Sequence, residues 1–99
     1  MTRFYKKLTA MPYAQAHVEI LEDGTKLLFS YVTLVAEISP DGWLRVNGLY
    51  SMTTRKHIGA FCKEYANTSY QTAKAIYEDR EVYNIYTGEI MKIEDFEEC

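Results

Sequence analysis

The sequence predicts an α+β fold: an antiparallel β-meander of about four strands packed on one main helix, followed by a short second helix and a C-terminal β-hairpin. Three observations carry this expectation. Short apolar runs between residues 16 and 46 are separated by Asp-Gly and Pro-Asp-Gly turns. From Ile58 onward, Ile58, Phe61, Cys62 and Tyr65 fall at i, i+3, i+4 and i+7, the stripe of an amphipathic helix. Near the end, two strand-like runs flank Thr87-Gly88. A chain of 99 residues has room for one hydrophobic core. The expectation is therefore a single domain over residues 1–99, with a core at 15–93 and residues 1–12 and 94–99 docked loosely.

The first strands come from "AHVEILEDGTKLLFSY". Ala16, Val18 and Ile20 alternate with His17 and Glu19, and Asp23-Gly24 supplies a turn residue able to take positive φ. "YVTLVAEI" has apolar residues on both parities, the pattern of a central strand covered on both faces. "SPDG" then turns the chain into "WLRV", and Asn47-Gly48 interrupts the run before "LYS". Ser51 or Thr53 can cap the main helix, expected over about residues 54–66 with Asn67 as a left-handed stop. Ser69 opens "YQTAKAIYED", a helix of about ten residues that must pack on the rest to be stable. The final hairpin is "EVYNIY" with "EIMKI", leaving "EDFEEC" as an acidic tail anchored through Phe96.

Composition narrows the function classes. The chain carries 11 Lys/Arg against 14 Asp/Glu, and the whole excess of acid lies after residue 50. No basic run exceeds a pair, which disfavours a general nucleic-acid binder. The uncharged run from Leu27 to Ala36 is ten residues and contains Ser30, Tyr31 and Thr33, about half of a membrane helix, and no apolar segment follows the cations of the N-terminus. The expectation is a cytoplasmic protein that does not enter membranes, with homo-oligomerisation left open. Nine tyrosines are a large supply of rings that are apolar with a polar tip, suited to half-buried positions and interfaces.

Catalytic constellations are not found. The two histidines are His17, on the outward parity of a strand, and His57 in the helix. His57 and Cys62 are five residues apart, about 140° around a helix, so they cannot form a Cys–His pair. Neither cysteine has a C-x-x-C partner, and no zinc helix, P-loop or dinucleotide fingerprint is present. The expectation is no catalysis, no metal and no cofactor. Two candidate surfaces remain. Thr53, Thr54, Arg55, Lys56 and His57 crowd a helix start, where backbone N–H groups attract anions. Glu89, Glu94, Asp95, Glu97 and Glu98, with Tyr83 and Tyr86, give an acidic, tyrosine-bearing surface for a partner protein.

Two stretches carry a resemblance. "SYVTLVA" matches a Ser-Tyr-x-Thr-x-Val-Ala pattern through Ser30, Tyr31, Thr33, Val35 and Ala36. "YSMTTRKHIGAF" matches Tyr-Ser-x-Thr-Thr-x-x-His-Ile-x-x-Phe through Tyr50, Ser51, Thr53, Thr54, His57, Ile58 and Phe61. With these motifs the chain resembles a family of small uncharacterised proteins of phages, plasmids and other mobile elements of Gram-positive and gut bacteria. The resemblance spans about residues 15–65 and implies a setting and a fold rather than a reaction. It also implies an architectural role for the Thr pair and for His57, because Arg55 and Lys56 fall at variable positions of the pattern. The functional expectation is a small non-catalytic protein-binding accessory protein of a mobile genetic element, in one form an inhibitor of a host defence nuclease whose acids imitate DNA phosphates. The alternative is a nucleic-acid-binding accessory factor using Thr53 to His57.

Overall fold

The hairpins expected from the turn residues assemble into one continuous sheet. The computed structural model, which describes residues 3–97, contains strands β1 (Arg3–Lys6), β2 (Ala16–Leu21), β3 (Lys26–Ser30), β4 (Thr33–Ile38), β5 (Trp43–Val46), β6 (Glu81–Asn84) and β7 (Ile90–Lys92). They lie side by side in chain order, each antiparallel to the next. Helices α1 (Met52–Tyr65) and α2 (Tyr70–Glu78) are inserted between β5 and β6, and α3 (Ile93–Glu97) follows β7. No helix among the described residues is long and apolar enough to cross a membrane.

The α+β class stands, but a four-strand meander with one main helix underestimates the sheet, which has seven strands. The C-terminal hairpin is not a separate unit. After α1 and α2 the chain returns to the free edge of β5, where Trp43 pairs Asn84 and Leu44 pairs Tyr83. An unpaired edge of backbone donors and acceptors is satisfied by the next available strand, and no local signal says which edge a hairpin will find. Asn84 fixes the junction: its side-chain oxygen accepts the N–H groups of Tyr86 at 2.9 Å and Thr87 at 3.1 Å, while its amide donates to the Asp41 carbonyl at 3.2 Å.

The other added strand is at the N-terminus. Loose docking of residues 1–12 is the expectation from sequence, yet Arg3–Lys6 pairs with β2 over four registered positions and Leu8 is fully buried. Beyond β1, Thr9 donates its backbone N–H and its hydroxyl to the Glu64 carboxylate of α1, at 2.7 and 2.9 Å. Phe4, Leu8 and Met11 stand at i, i+4 and i+7, a helix-like spacing, and Arg3–Lys6 has no apolar–polar alternation of its own, which is why the strand is invisible locally.

Both long helices cover one face of the sheet, α1 over β3 and β4, α2 over β5 and β6. The core between the layers holds Val18, Leu28, Leu44, Ile58, Phe61 and Ile76, all at most 2% exposed. Consecutive apolar residues in β4 have a different origin from the one expected. The register shifts between Leu28 and Phe29, leaving Val35 unopposed, and this bulge turns both Val35 and Ala36 into the same core. The opposite face is covered near its end by α3: Phe96 sits 5.7 Å from the Trp43 ring, and Glu97 pairs with Arg45 at 3.2 Å. Further along that face, Tyr5, His17 and Phe29 stack across β1, β2 and β3 at 4.2 and 5.0 Å. Cys62 is packing material, its thiol pKa pushed up to about 12 by burial.

Leu8→Ala should destabilise the protein by about 2–5 kcal/mol through loss of buried side chain and the cavity left behind, whereas Phe4→Ala, at an exposed position, should change stability by less than about 1 kcal/mol. Urea unfolding of the two variants decides between a docked and a loose N-terminal segment.

Candidate functional site

The start of α1 is built from hydroxyls. Ser51 is the N-cap, with extended backbone, and its Oγ accepts the Thr54 N–H at 3.1 Å. Its hydroxyl donates in turn to Thr54 Oγ1 at 3.2 Å. Thr54 Oγ1 lies 3.2 Å from Ser30 Oγ, at the end of β3, and Ser30 Oγ lies 2.8 Å from His57 Nδ1. One direction of donation satisfies the whole chain: Ser51 to Thr54, Thr54 to Ser30, Ser30 to His57 Nδ1, with the imidazole proton on Nε2. Ser30, Thr54 and His57 are all buried, at 2%, 4% and 1% exposure. Burial holds His57 below the ordinary imidazole value of 6.5, which favours the neutral ring that this direction of donation uses.

The residues around this network form a cleft of about 280 Å³ lined by Ser30, Tyr31, Thr33, Tyr50, Ser51 and Thr54, each bearing a hydroxyl. Tyr31 and Val32 make the two-residue turn between β3 and β4, and Tyr31 takes φ of +58°, where a bulky residue is strained by about 1 kcal/mol or more. Its ring leans over His57 with centroids 6.1 Å apart. Tyr50 lies across Gly48, where any Cβ would collide with the Tyr50 ring. The two motif stretches, separate in sequence, therefore meet at one place.

The five residues expected to act together as an anion contact are not brought together. Thr54 and His57 turn inward to Ser30 and Thr53 is exposed. Arg55 and Lys56 lie on the outer side of α1, because successive helix positions are about 100° apart. There they line a different groove of about 570 Å³, together with Lys63 and Lys74. Sequence reasoning missed those two lysines. Lys56 and Lys63 are seven residues apart, two helical turns, so that pair was detectable as one stripe. Lys74 belongs to α2 and is added only by helix packing.

The acidic residues are also dispersed. Tyr83 pairs with the core residue Leu44 and packs against the helix layer, whereas Glu97 lies on the opposite face with Arg45. Tyr86 is exposed and lies across Gly42. Glu89 and Glu94 are exposed, Asp95 has a partner of its own, and Glu98 lies outside the described residues. His17 and His57 occupy opposite faces of the sheet, so no site joins them; His17 Nε2 meets Glu19 Oε2 at 2.9 Å instead. Among the described residues no three of His, Cys, Asp and Glu converge as metal ligands.

Ser30→Ala should cost about 1–3 kcal/mol by leaving buried Thr54 and His57 groups unpaired, while Thr53→Ala should stay within about 0.5 kcal/mol; chemical denaturation measures both. The pH dependence has a defined sign. With the folded pKa of His57 below the unfolded value of 6.5, the stabilisation present above that pH is lost as pH falls through the folded value. His57→Gln should flatten the stability profile just below about pH 6.5, where one such proton gives a slope of up to about 1.4 kcal/mol per pH unit. An unchanged slope would show that His57 does not carry it.

No curated protein and no solved structure matches the chain. A family of unknown function, DUF8033, matches residues 2–79. That span runs from β1 through α2 and contains both the hydroxyl cleft and the cationic groove, while β6, β7 and the acidic end fall beyond it. The chain belongs to this family, DUF8033.

Proposed function

We propose that this is a small non-catalytic protein-binding protein, and that its contact surface is the tyrosine-bearing end of the molecule where α1 begins. The single observation that supports this most is a group of exposed large side chains at one end: Tyr31 at 55%, Val32 at 92%, Tyr50 at 66% and Met52 at 69% exposure. Tyr31 and Tyr50 line the same cleft, and Met52 opens α1 directly beside it. Tyrosine and methionine are enriched in protein interfaces, and tyrosine also at their energetic centres. A monomer has no folding reason to expose four such residues together.

The strained φ of Tyr31 points the same way. Primed turns take Gly at this position without strain, so keeping a tyrosine there opposes folding and is understandable if the ring itself is used. The location lies within the span shared with the family, whereas the acidic C-terminal surface lies outside it and has Glu97 engaged with Arg45. In the mobile-element setting implied by the motif resemblance, the partner is a protein of the host or of the element, and inhibition of a host defence enzyme is one form the interaction takes.

Tyr31→Gly is the informative variant, since it relieves the turn while removing the ring. It should fold at least as stably as the parent and lose about tenfold in partner affinity, the scale of an interface hot spot. A photo-crosslinking residue at Val32, used in the native host, should give a discrete protein adduct that Tyr31→Gly and Tyr50→Ala suppress. Absence of an adduct, or one indifferent to both substitutions, overturns the reading.

A further inference from the structure

We infer that the groove between α1, α2 and the loop after β1 is a docking site for an acidic amphipathic helix of a partner protein. The inference rests on the protein-binding reading for the polypeptide nature of the ligand, and it concerns a second surface. Its basis is charge. The chain has a formal net charge of −3, yet four cations and no acid line this groove: Arg55, Lys56, Lys63 and Lys74. Among the described residues none of the four is held in an ion pair. Glu64, the acid adjoining Lys63, is occupied by both Thr9 donors on the loop side. Arg55 ends the first turn of α1 and Lys56 follows it, near enough to the N-terminus for the helix dipole to disfavour cations. That placement has no stabilising role within the chain and suits an external anionic partner.

The floor between the cations is apolar. Met11, Met52, Ala60 and Tyr70 line it, and α2 approaches α1 closely at Gly59, whose added Cβ would stand 3.4 Å from that of Tyr70. Tyr70 contributes its ring to this floor, while its hydroxyl is buried away from the groove with no hydrogen-bond partner. Polyphosphate backbones match cations but not a methionine-lined floor, and a simple fatty chain matches the floor but not four separated charges. An amphipathic helix matches both, apolar side chains downward and carboxylates on its flanks. From Met52 to Lys63 the groove follows α1 for about 16 Å at 1.5 Å per residue, the length of three turns of a docked helix. Met52 also borders the tyrosine-bearing end, so one partner can span both surfaces.

The test uses the full chain and a synthetic 16-residue helical peptide with a leucine stripe and glutamate flanks, titrated by NMR. Shifts should concentrate at Met52, Ala60, Lys63, Tyr70 and Lys74. The double variant Lys56→Glu, Lys74→Glu, at exposed positions, should keep its melting temperature and weaken peptide binding by about tenfold or more. Added salt should weaken the parent's binding as well. Tyr31→Gly should leave peptide affinity unchanged, so failure here and failure of the crosslinking experiment are separate results. The inference is overturned by absence of peptide binding at millimolar concentration, by equal binding of a lysine-flanked peptide, or by tighter engagement of duplex DNA or anionic vesicles at the same residues.

Discussion

The contact between the end of β3 and the first turn of α1 is the constraint on which the rest of this molecule depends. Ser30, Thr54 and His57 are buried together and hydrogen-bonded, and each would be costly to bury alone. Apolar packing between Ile58, Phe61 and the sheet supplies most of the attraction between the layers, but it is tolerant of rotation and sliding. The hydroxyl–imidazole chain is directional, so it fixes the position of α1 along the sheet and its rotation about its own axis.

That rotation decides what each side of α1 can do. With Thr54 and His57 turned inward, Arg55, Lys56 and Lys63 must face outward, and the crossing of α2 near Gly59 completes a groove beside them. The same docking carries Ser51 and Tyr50 against the β3–β4 turn and forms the hydroxyl cleft. The two surfaces are thus consequences of one helix placement. They differ in chemistry: one is neutral and aromatic, the other cationic with an apolar floor. Among the described C-terminal acids, Glu97 lies on the far side of the sheet against Arg45, Glu89 and Glu94 are exposed, and Glu81 pairs with Lys92.

Much of the local structure was legible. Gly24 and Gly42 take positive φ at the turns where Asp-Gly pairs stand, and Asn67 takes the left-handed conformation after α1. The stripe Ile58, Phe61, Cys62 is buried as its period requires. Less of the site was legible. Thr53 to His57 was visible as a dense stretch, but its meaning depended on which residues turned inward. Ser30 gave no sign of being the partner of His57 beyond standing in the other motif. Lys74 and Met11 could not be assigned to the groove, because each reaches it from a different element.

By itself the sequence determined the elements that rest on period and on backbone chemistry: the α+β class, the β2 to β5 hairpins, the capped start of α1 and the separation of Cys62 from His57 around the helix. These arise from interactions within a few residues, or from the burial any apolar stripe must seek. Tertiary structure alone decided the seven-strand order, the capture of β1 and of the β6–β7 hairpin, and the division of "TTRKH" between an inner network and an outer groove. Each of these is a choice among edges and faces of similar local merit. It is settled by which arrangement pairs the buried backbone groups and the Ser30–Thr54–His57 cluster while closing the core, a condition on the whole chain that no short segment contains.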